Sequence, residues 1–363
     1  MISKAKNKIV VAMSGGVDSS TVAAILHDQN YAVIGVTLLL YDTNTATKKK
    51  GSCCAGQDIH DAKVAAEKIG IPHYVLDYKN LFTKKVIEDF TDGYMKGETP
   101  IPCIKCNQKI KFDDLLRAAK VLGAKSLATG HYVRKIRKDN CNFLMKGIDI
   151  KKDQSYFLFA TTMEQLDFLE FPLGNLTKSE TRKLAQKYQL NTFDKPDSQD
   201  ICFVANNHYS KIIRKLKPES YIEGKIVNLN GEVLGKHNGI INFTIGQRKG
   251  INISSKTPLY VVKIDSKNNQ VIVGERRDLQ STKVKIKELN WLSTDKYLSK
   301  DFYCSVMLRS NHKEINAKVK YLGNGFADII LESPYYGVTP GQACVMYDGE
   351  RVLGGGWITK DST

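Results

Sequence analysis

No apolar run in the sequence reaches the length of a bilayer span. The longest candidates, such as VIGVTLLLY at residues 33–41, are the length of a buried strand. There is no stretch with the character of a leader either: MISKAKNK runs almost directly into an apolar strand, so a cytoplasmic location is expected. Cysteine is sparse, 8 in 363 residues, too few for a disulfide scaffold in a chain this long. Acidic charge is also in short supply, with 38 Asp and Glu against 54 Lys and Arg, a net of +16. An excess of that size points to a polyanionic partner, nucleic acid first, and 17 tyrosines offer faces on which bases can stack.

A hydrophobic content of 42% and a charged content of 25% leave enough apolar residues for two or three folded domains. The first half alternates strand and helix. KIVVAM (8–13) reads as a buried parallel strand, and TVAAILHDQN as a helix with Val22, Ile25 and Leu26 on one side. YAVIGVTLLLY, DIHDAKVAAEKIG, IPHYVLDY, LFTKKVIEDFTDGYMKG, FDDLLRAAKVLG and SLATGHYV continue the pattern. The expected fold is a doubly wound α/β domain with its site at the carboxyl ends of the strands. Beyond about Leu216 the texture changes to short strands separated by Gly and Asn turns, which predicts two small β-rich modules, the last a barrel. The expected boundaries are 1–205 for the catalytic domain, 206–280 for the central module and 281–363 for the barrel.

Between the first strand and helix stands SGGVDSS (14–20). Two glycines let backbone N–H groups approach an anion, and a helix N-terminus adds partial positive charge. Ser14, Ser19 and Ser20 can add hydroxyl donors, and Asp18 is a candidate for holding a phosphate-bound Mg2+. The stretch lacks the Lys-Ser/Thr of a Walker A loop and does not match G-x-G-x-x-G. A bare SGG would be no more than a helix N-cap. The whole motif, directly after a strand, resembles the PP-loop of ATP pyrophosphatases, which adenylate an oxygen and release pyrophosphate.

Three cysteines carry potential chemistry: Cys103 and Cys106 in PIPCIKCNQKIKF, and Cys202 in KPDSQDICFV. Cys141, Cys304 and Cys344 lie among alternating apolar residues and read as core, and Cys53–Cys54 is ambiguous. The C-x-x-C pair alone is compatible with half a zinc site, a redox pair, an iron–sulfur ligand set or a nucleophile. A second C-x-x-C, which tetrahedral zinc would normally need, is missing. Lys105, Lys109 and Lys111 around Cys106 favour its thiolate, whereas Ile201 and Phe203 beside Cys202 also fit a plain buried position.

TPIPCIKCNQKIKF (99–112), ATGHYVR (128–134), KKDQSYFL (151–158), KPDSQDICFV (195–204), FTIGQRKG (243–250) and TPGQACVMYDGERVLGGGWI (339–358) together resemble the tRNA-specific 2-thiouridylases, in the same order along nearly the whole chain. The resemblance implies ATP-dependent thiolation of the wobble uridine of tRNAs for Lys, Glu and Gln. It also implies a sulfur-donor protein, a cysteine desulfurase or a relay from one. Cys202 matches the persulfide carrier and Cys106 the resolving nucleophile. ATP falls to Ala12, Met13, Ser14, Gly15, Gly16, Val17, Asp18, Ser19, Leu38 and Gly130, and the target base to Ile101, Pro102, Cys103 and His131. Lys152, Asp153, Gln154, Arg309, Ser310 and Gln342 match tRNA contacts. Cys103 stands where the family commonly has aspartate, and Ser310 where it usually has an aromatic. The alternative route to the same product, not the expected one, has Cys103, Cys106 and Cys202 as three ligands to an iron–sulfur cluster.

The stretch 131–152 reads as a hairpin turning at Asp139-Asn140, charged by Arg134, Lys135, Arg137, Lys138 and Lys146. Thr177 and Glu180 form a capping box before a basic helix, and KPDSQD reads as a mobile loop carrying Cys202. The competing classes are a PP-loop synthetase acting on a small molecule, which leaves the charge and the cysteines unexplained, and a non-catalytic tRNA-binding protein, which the intact loop argues against.

Overall fold

The β-branched run Lys8–Ala12 and the longer Ala32–Leu39 are apolar on both faces, as strands of a parallel sheet covered by helices must be. The computed structural model describes residues 7–41, 56–197, 201–204, 209–292 and 301–360; Cys53, Cys54 and residues 198–200 lie outside them. The chain divides into two compact units, one comprising residues 1–86, 103–207 and 350–352, the other 87–102, 208–349 and 353–363.

In the first unit, β1 (Lys8–Ala12), β2 (Ala32–Leu39), β3 (His73–Asp77) and β4 (Ser126–Ala128) lie parallel, and a short β7 (Leu169–Glu170) extends them. The order is β3-β2-β1-β4-β7. The chain winds outward from β1 and then returns to its other side, so a crevice opens between the carboxyl ends of β1 and β4. Helix α1 (Val17–Asp28) is buried on most of its surface, and α2 (Gly56–Ile69) packs through Ala62, Ala65 and Ala66 against Val11, Met13 and Val22. Between β4 and β7 comes the expected hairpin, β5 (Val133–Lys138) and β6 (Cys141–Lys146). Its turn residues Asp139 and Asn140 have φ of +51° and +59°, the left-handed pair that a tight two-residue turn requires.

The sequence pattern anticipates ordinary helices at 81–97 and 112–123. Instead, a π-helix at Thr83–Ile87 interrupts the first, and the second opens earlier as Pro102–Cys106 and continues as a π-helix, Asn107–Asp114. Pro102 suits a first helical turn, where its missing N–H leaves no bond unmade. Lys85 and Asp114, one from each π segment, pair at 2.8 Å.

The second unit is all-β apart from short helices. Strands β8 (Gly224–Val227), β9 (Val233–His237), β10 (Tyr260–Asp265) and β11 (Gln270–Gly274) form a sheet in the order β10-β11-β8-β9 over Ile226, Phe243, Val261 and Val271. Next come β12 (Gln280–Trp291), β13 (Phe302–Met307), β14 (Ile315–Gly323), β15 (Phe326–Tyr336), β16 (Ala343–Asp348) and β17 (Arg351–Ile358). They run β12-β15-β14-β13-β16-β17 and close by a β12–β17 pairing into a six-stranded antiparallel barrel without free edges. Closure needs β12 to serve two partners. A register shift between Lys287 and Asn290, with Glu288 at φ +52°, turns it from β15 to β17. There Gly354 admits the Asn290 carbonyl, which a Cβ would meet at 2.1 Å.

Cys344 is fully buried in the barrel core and Cys304 packs against it, as the sequence indicates. Cys141 is only half-buried, because it opens β6 beside the exposed turn.

Candidate active site

The PP-loop leaves β1 and turns back into α1. Gly15 takes φ +74°, and a Cβ there would lie 2.0 Å from the Asp58 carbonyl oxygen, so conformation and space both demand glycine. Gly16 is the extended N-cap of α1 and makes no side-chain cap bond. The backbone N–H of Ser14 donates to Ser19 Oγ at 3.0 Å, and the two hydroxyls lie 3.3 Å apart. From the loop after β4, Gly130 approaches so closely that a Cβ would be 3.0 Å from both Ser19 N and Asp18 Cβ. The two loops therefore abut at the point where the strand order reverses. Ala12 and Met13 end β1 and Leu38 nears the end of β2, where Thr37 donates to the Met13 carbonyl at 2.8 Å. The structure thus gathers the residues expected to meet ATP at the carboxyl ends of three neighbouring strands.

Charge is arranged around this loop in two ion-pair groups. Lys178 Nζ donates to both oxygens of Asp18, at 2.7 and 2.8 Å, and lies 2.8 Å from Asp197. Asp197 also takes Lys152 at 2.6 Å and Arg182 at 3.4 Å. Tyr132 donates its hydroxyl to Asp18 at 2.8 Å; burial first, then that negative charge, raise its pKa. In the second group, Lys195 Nζ reaches the Gly15 carbonyl at 2.9 Å, Asp58 at 2.6 Å and Asp61 at 2.5 Å. Burial opposes ionisation of Lys195, Asp61 and Asp197. The opposite charges prevail, so the Lys195 pKa is raised and both carboxylates are lowered below their usual 3.8.

Asp18, the candidate for holding a phosphate-bound Mg2+, thus has Tyr132 and Lys178 on its carboxylate.

Cys106 is buried at the end of helix Pro102–Cys106, and Cys103 is exposed one turn earlier. Just beyond Cys106, Asn107 donates to the Phe157 carbonyl at 3.3 Å and accepts from Lys111 at 3.0 Å. The same π segment sets Phe112 edge-on to His131, with ring centroids 5.8 Å apart. Burial, then the Lys111 charge, push the His131 pKa well below 6.5, and its Nδ1 lies 2.9 Å from the Thr129 hydroxyl. His131 is therefore a neutral imidazole near pH 7. The π segment following Cys106 and the loop following β4 meet here, joining two motifs far apart in sequence.

Cys202 is half-exposed, not the core residue its apolar neighbours allow. Its flanks are the anchors: Phe203 is buried edge-on against Phe82, and Tyr41 donates to the Cys202 carbonyl at 3.1 Å. Cys103, Cys106 and Cys202 all lie in the first unit. Among the described residues, no three His, Cys, Asp or Glu side chains gather as a metal-binding group.

The residues matched to tRNA contacts are engaged within their own units. Lys152 pairs with Asp197, and Gln154 accepts the Tyr132 N–H at 2.9 Å. Asp153 accepts from the Gly147 N–H at 2.9 Å and the Ser155 hydroxyl at 2.6 Å; burial raises its pKa. In the second unit, Arg309 donates to Thr339 Oγ1 at 2.6 Å and the Gly337 carbonyl at 3.0 Å, and Gln342 to the Thr99 carbonyl at 2.7 Å. Ser310 is half-buried beside Asn311, Ile101 is half-buried and Pro102 is buried. Of the hairpin cations, Arg134 and Lys135 hold Glu350 and Glu170 at 2.8 and 2.7 Å, while Arg137 and Lys138 are exposed.

Lys178, Lys195, Asp197, Tyr132 and Tyr41 were not anticipated. One signal was available: a lysine in the first turn of the helix Lys178–Lys187 opposes the helix dipole, and such a residue needs an anion nearby.

A parallel sheet with a PP-loop at its switch point, joined in one chain to a closed β-barrel, defines a nucleotide-binding enzyme of the PP-loop class. Family models match in three consecutive segments: the tRNA methyl transferase HUP domain at 7–206, the tRNA methyl transferase PRC-barrel domain at 210–275, and the aminomethyltransferase beta-barrel domain at 281–358. The tRNA-specific 2-thiouridylase MnmA of Rickettsia canadensis is 56% identical over 353 residues, covering 97% of this chain and 96% of that protein. That of Rickettsia prowazekii is also 56% identical over 353 residues, covering 97% and 99%. The chain belongs to the tRNA-specific 2-thiouridylase family. Looser likenesses include the NMN synthetase of Francisella tularensis (TM-score 0.35, 17% identity, 59% of this chain and 78% of that one). A 4-thiouridine synthetase–RNA complex with bound ATP gives TM-score 0.38 and 15% identity, covering 59% and 50%.

Proposed function

We propose that the chain uses ATP to replace the C2 oxygen of the wobble uridine of tRNAs for Lys, Glu and Gln with sulfur. It is a tRNA sulfurtransferase. The PP-loop and Gly130 receive ATP, and uracil O2 attacks the α-phosphorus, releasing pyrophosphate and leaving an adenylated oxygen on C2. Neutral His131 has no net charge to repel a polarised base. A persulfide on Cys202, loaded by a cysteine desulfurase or a relay protein, then attacks C2 through its terminal sulfur, and AMP departs. The Cys106 thiolate attacks Cys202 Sγ. The electrons of the broken S–S bond leave with the sulfur now on C2, giving 2-thiouridine and a Cys106–Cys202 disulfide that an external thiol must reduce. Ile101, Pro102 and Cys103 face the base, and a thiol at Cys103 replaces the family's usual aspartate.

We assign residues 1–205 to catalysis, 206–280 to a central module and 281–363 to tRNA contact, in the cytoplasm. No helix among the described residues is long and apolar enough to cross a membrane.

The observation that supports this reading most is that one unit contains both the phosphate loop at the strand switch and the two cysteines. The test is anaerobic purification with iron and sulfide quantified, alongside thiolation of unmodified tRNA by wild type, Cys103→Asp, Cys106→Ser and Cys202→Ser. The expected result is no stoichiometric iron, no thiolation by Cys106→Ser or Cys202→Ser, and activity in Cys103→Asp. Stoichiometric iron lost together with activity in all three cysteine variants would replace the persulfide relay with a cluster.

A further inference from the structure

Gln342 is matched by resemblance to a tRNA contact, yet its side-chain amide already has a partner: Nε2 donates to the Thr99 carbonyl at 2.7 Å. The Thr99 N–H in turn donates to the Pro340 carbonyl at 2.8 Å, so both backbone groups of Thr99 are held by one turn of the barrel. Between those contacts, Gly341 has φ +85°, and a Cβ would stand 3.0 Å from Thr99 N. That close approach is open only to glycine. The turn is itself fixed on its far side. The Gly341 N–H donates to the Ile358 carbonyl at 3.0 Å, the Ile358 N–H to the Gln342 carbonyl at 2.8 Å, and Arg309 holds Thr339 Oγ1 at 2.6 Å.

Thr99 is followed by Pro100-Ile101-Pro102, in which two of three φ angles are locked by proline rings. The segment has little freedom to absorb a change at its start, so the direction set at Thr99 carries into Ile101 and Pro102. Pro100 is seated by contact with Gly93, where a Cβ would lie 2.9 Å from its Cγ.

We propose that Gln342 is a positioning residue: through the Thr99 carbonyl it aims the 99–102 segment at the target base, rather than binding tRNA itself. Arg309 supports it from behind through Thr339. The proposal rests on the reading above that Ile101 and Pro102 face the uridine.

The test compares wild type with Gln342→Glu, which keeps the size but loses the donor, with Gln342→Ala, and with Gln342→Lys, which restores a donor of similar reach. For each, the tRNA dissociation constant, the single-turnover thiolation rate at saturating tRNA, and amide exchange across 98–102 are measured. The expected result for Glu and Ala is a rate lowered by about tenfold, consistent with loss of one orienting hydrogen bond. Their tRNA affinity should stay within about twofold, exchange at Thr99 should be faster with or without tRNA, and Lys should recover most of the rate. Weakened tRNA binding with an unchanged rate at saturation would overturn the proposal in favour of direct contact, and unchanged rate and exchange would overturn it outright. The two readings fail separately. If Ile101→Ala leaves the rate intact while the Gln342 variants still accelerate exchange at Thr99, the clamp exists but the base-facing assignment is wrong.

Discussion

The phosphate loop and the residues matched to tRNA contacts are built on opposite plans. The loop presents backbone: Gly15 in a conformation closed to other residues, an α1 N-terminus with no side-chain cap, and Gly130 lying against it. Lys152, Asp153, Gln154, Arg309 and Gln342 present side chains already bonded within their own units. An anion site made of N–H groups is ready before its ligand arrives. Residues engaged with their own fold affect RNA through the frame they hold, or must exchange partners to touch it.

Gly15→Ala should break the backbone half of this comparison most severely. The added methyl collides with the Asp58 carbonyl, and tRNA-dependent conversion of ATP to AMP should fall by about 100-fold or more, measured as AMP release. Lys195→Met probes the ionic support beneath the same loop. It leaves Asp58 and Asp61, whose side chains are 6% and 15% exposed, without their shared cation. A loss of about 2–3 kcal/mol in chemical denaturation is expected.

The pH dependence follows from the same pairs. Asp61 and Asp197 have folded pKa values below their unfolded 3.8, so their contribution is present above pH 3.8 and is lost as pH falls through the lower folded values. Lys195 is raised above 10.5, so its contribution is present below that and is lost as pH rises through the folded value. In Lys195→Met, Asp61 loses the charge that lowers it, and the acid-unfolding midpoint should move to higher pH.

A smaller effect sharpens the side-chain half. Arg137 and Lys138 are exposed on the hairpin and so are available to phosphates. Replacing both with Glu should weaken tRNA binding by roughly tenfold at moderate salt and reduce the slope of log affinity against log salt by about 2. Thr177→Ala, which removes the capping box of helix Lys178–Lys187, should cost about 1 kcal/mol by thermal unfolding.

Much of this was legible in the sequence where local rules act alone. Hydrophobic runs gave the parallel sheet, Asp139-Asn140 the hairpin turn, and Thr177 with Glu180 the cap. SGGVDSS gave the loop because a strand, two glycines and a helix start form one contiguous word. The π segments were hidden, since helix and π-helix share the same residue preferences and differ only in how the turn is wound. The ion-pair groups were hidden for another reason. Lys178 and Asp18 stand 160 residues apart, and a charged residue in a polar stretch reads the same whether it meets water or a partner. For that reason the lysine and the tyrosine that meet the Asp18 carboxylate could not be read from the sequence.

The central claim is that ATP activates the tRNA base and Cys202 then delivers sulfur to it. Cys202→Ser supplied with α-labelled ATP and unmodified tRNA tests it most directly. Label attached to the tRNA, with pyrophosphate released and no thiolation, is the expected result. AMP released without tRNA, or a tRNA that never carries label while the wild type thiolates normally, would contradict it.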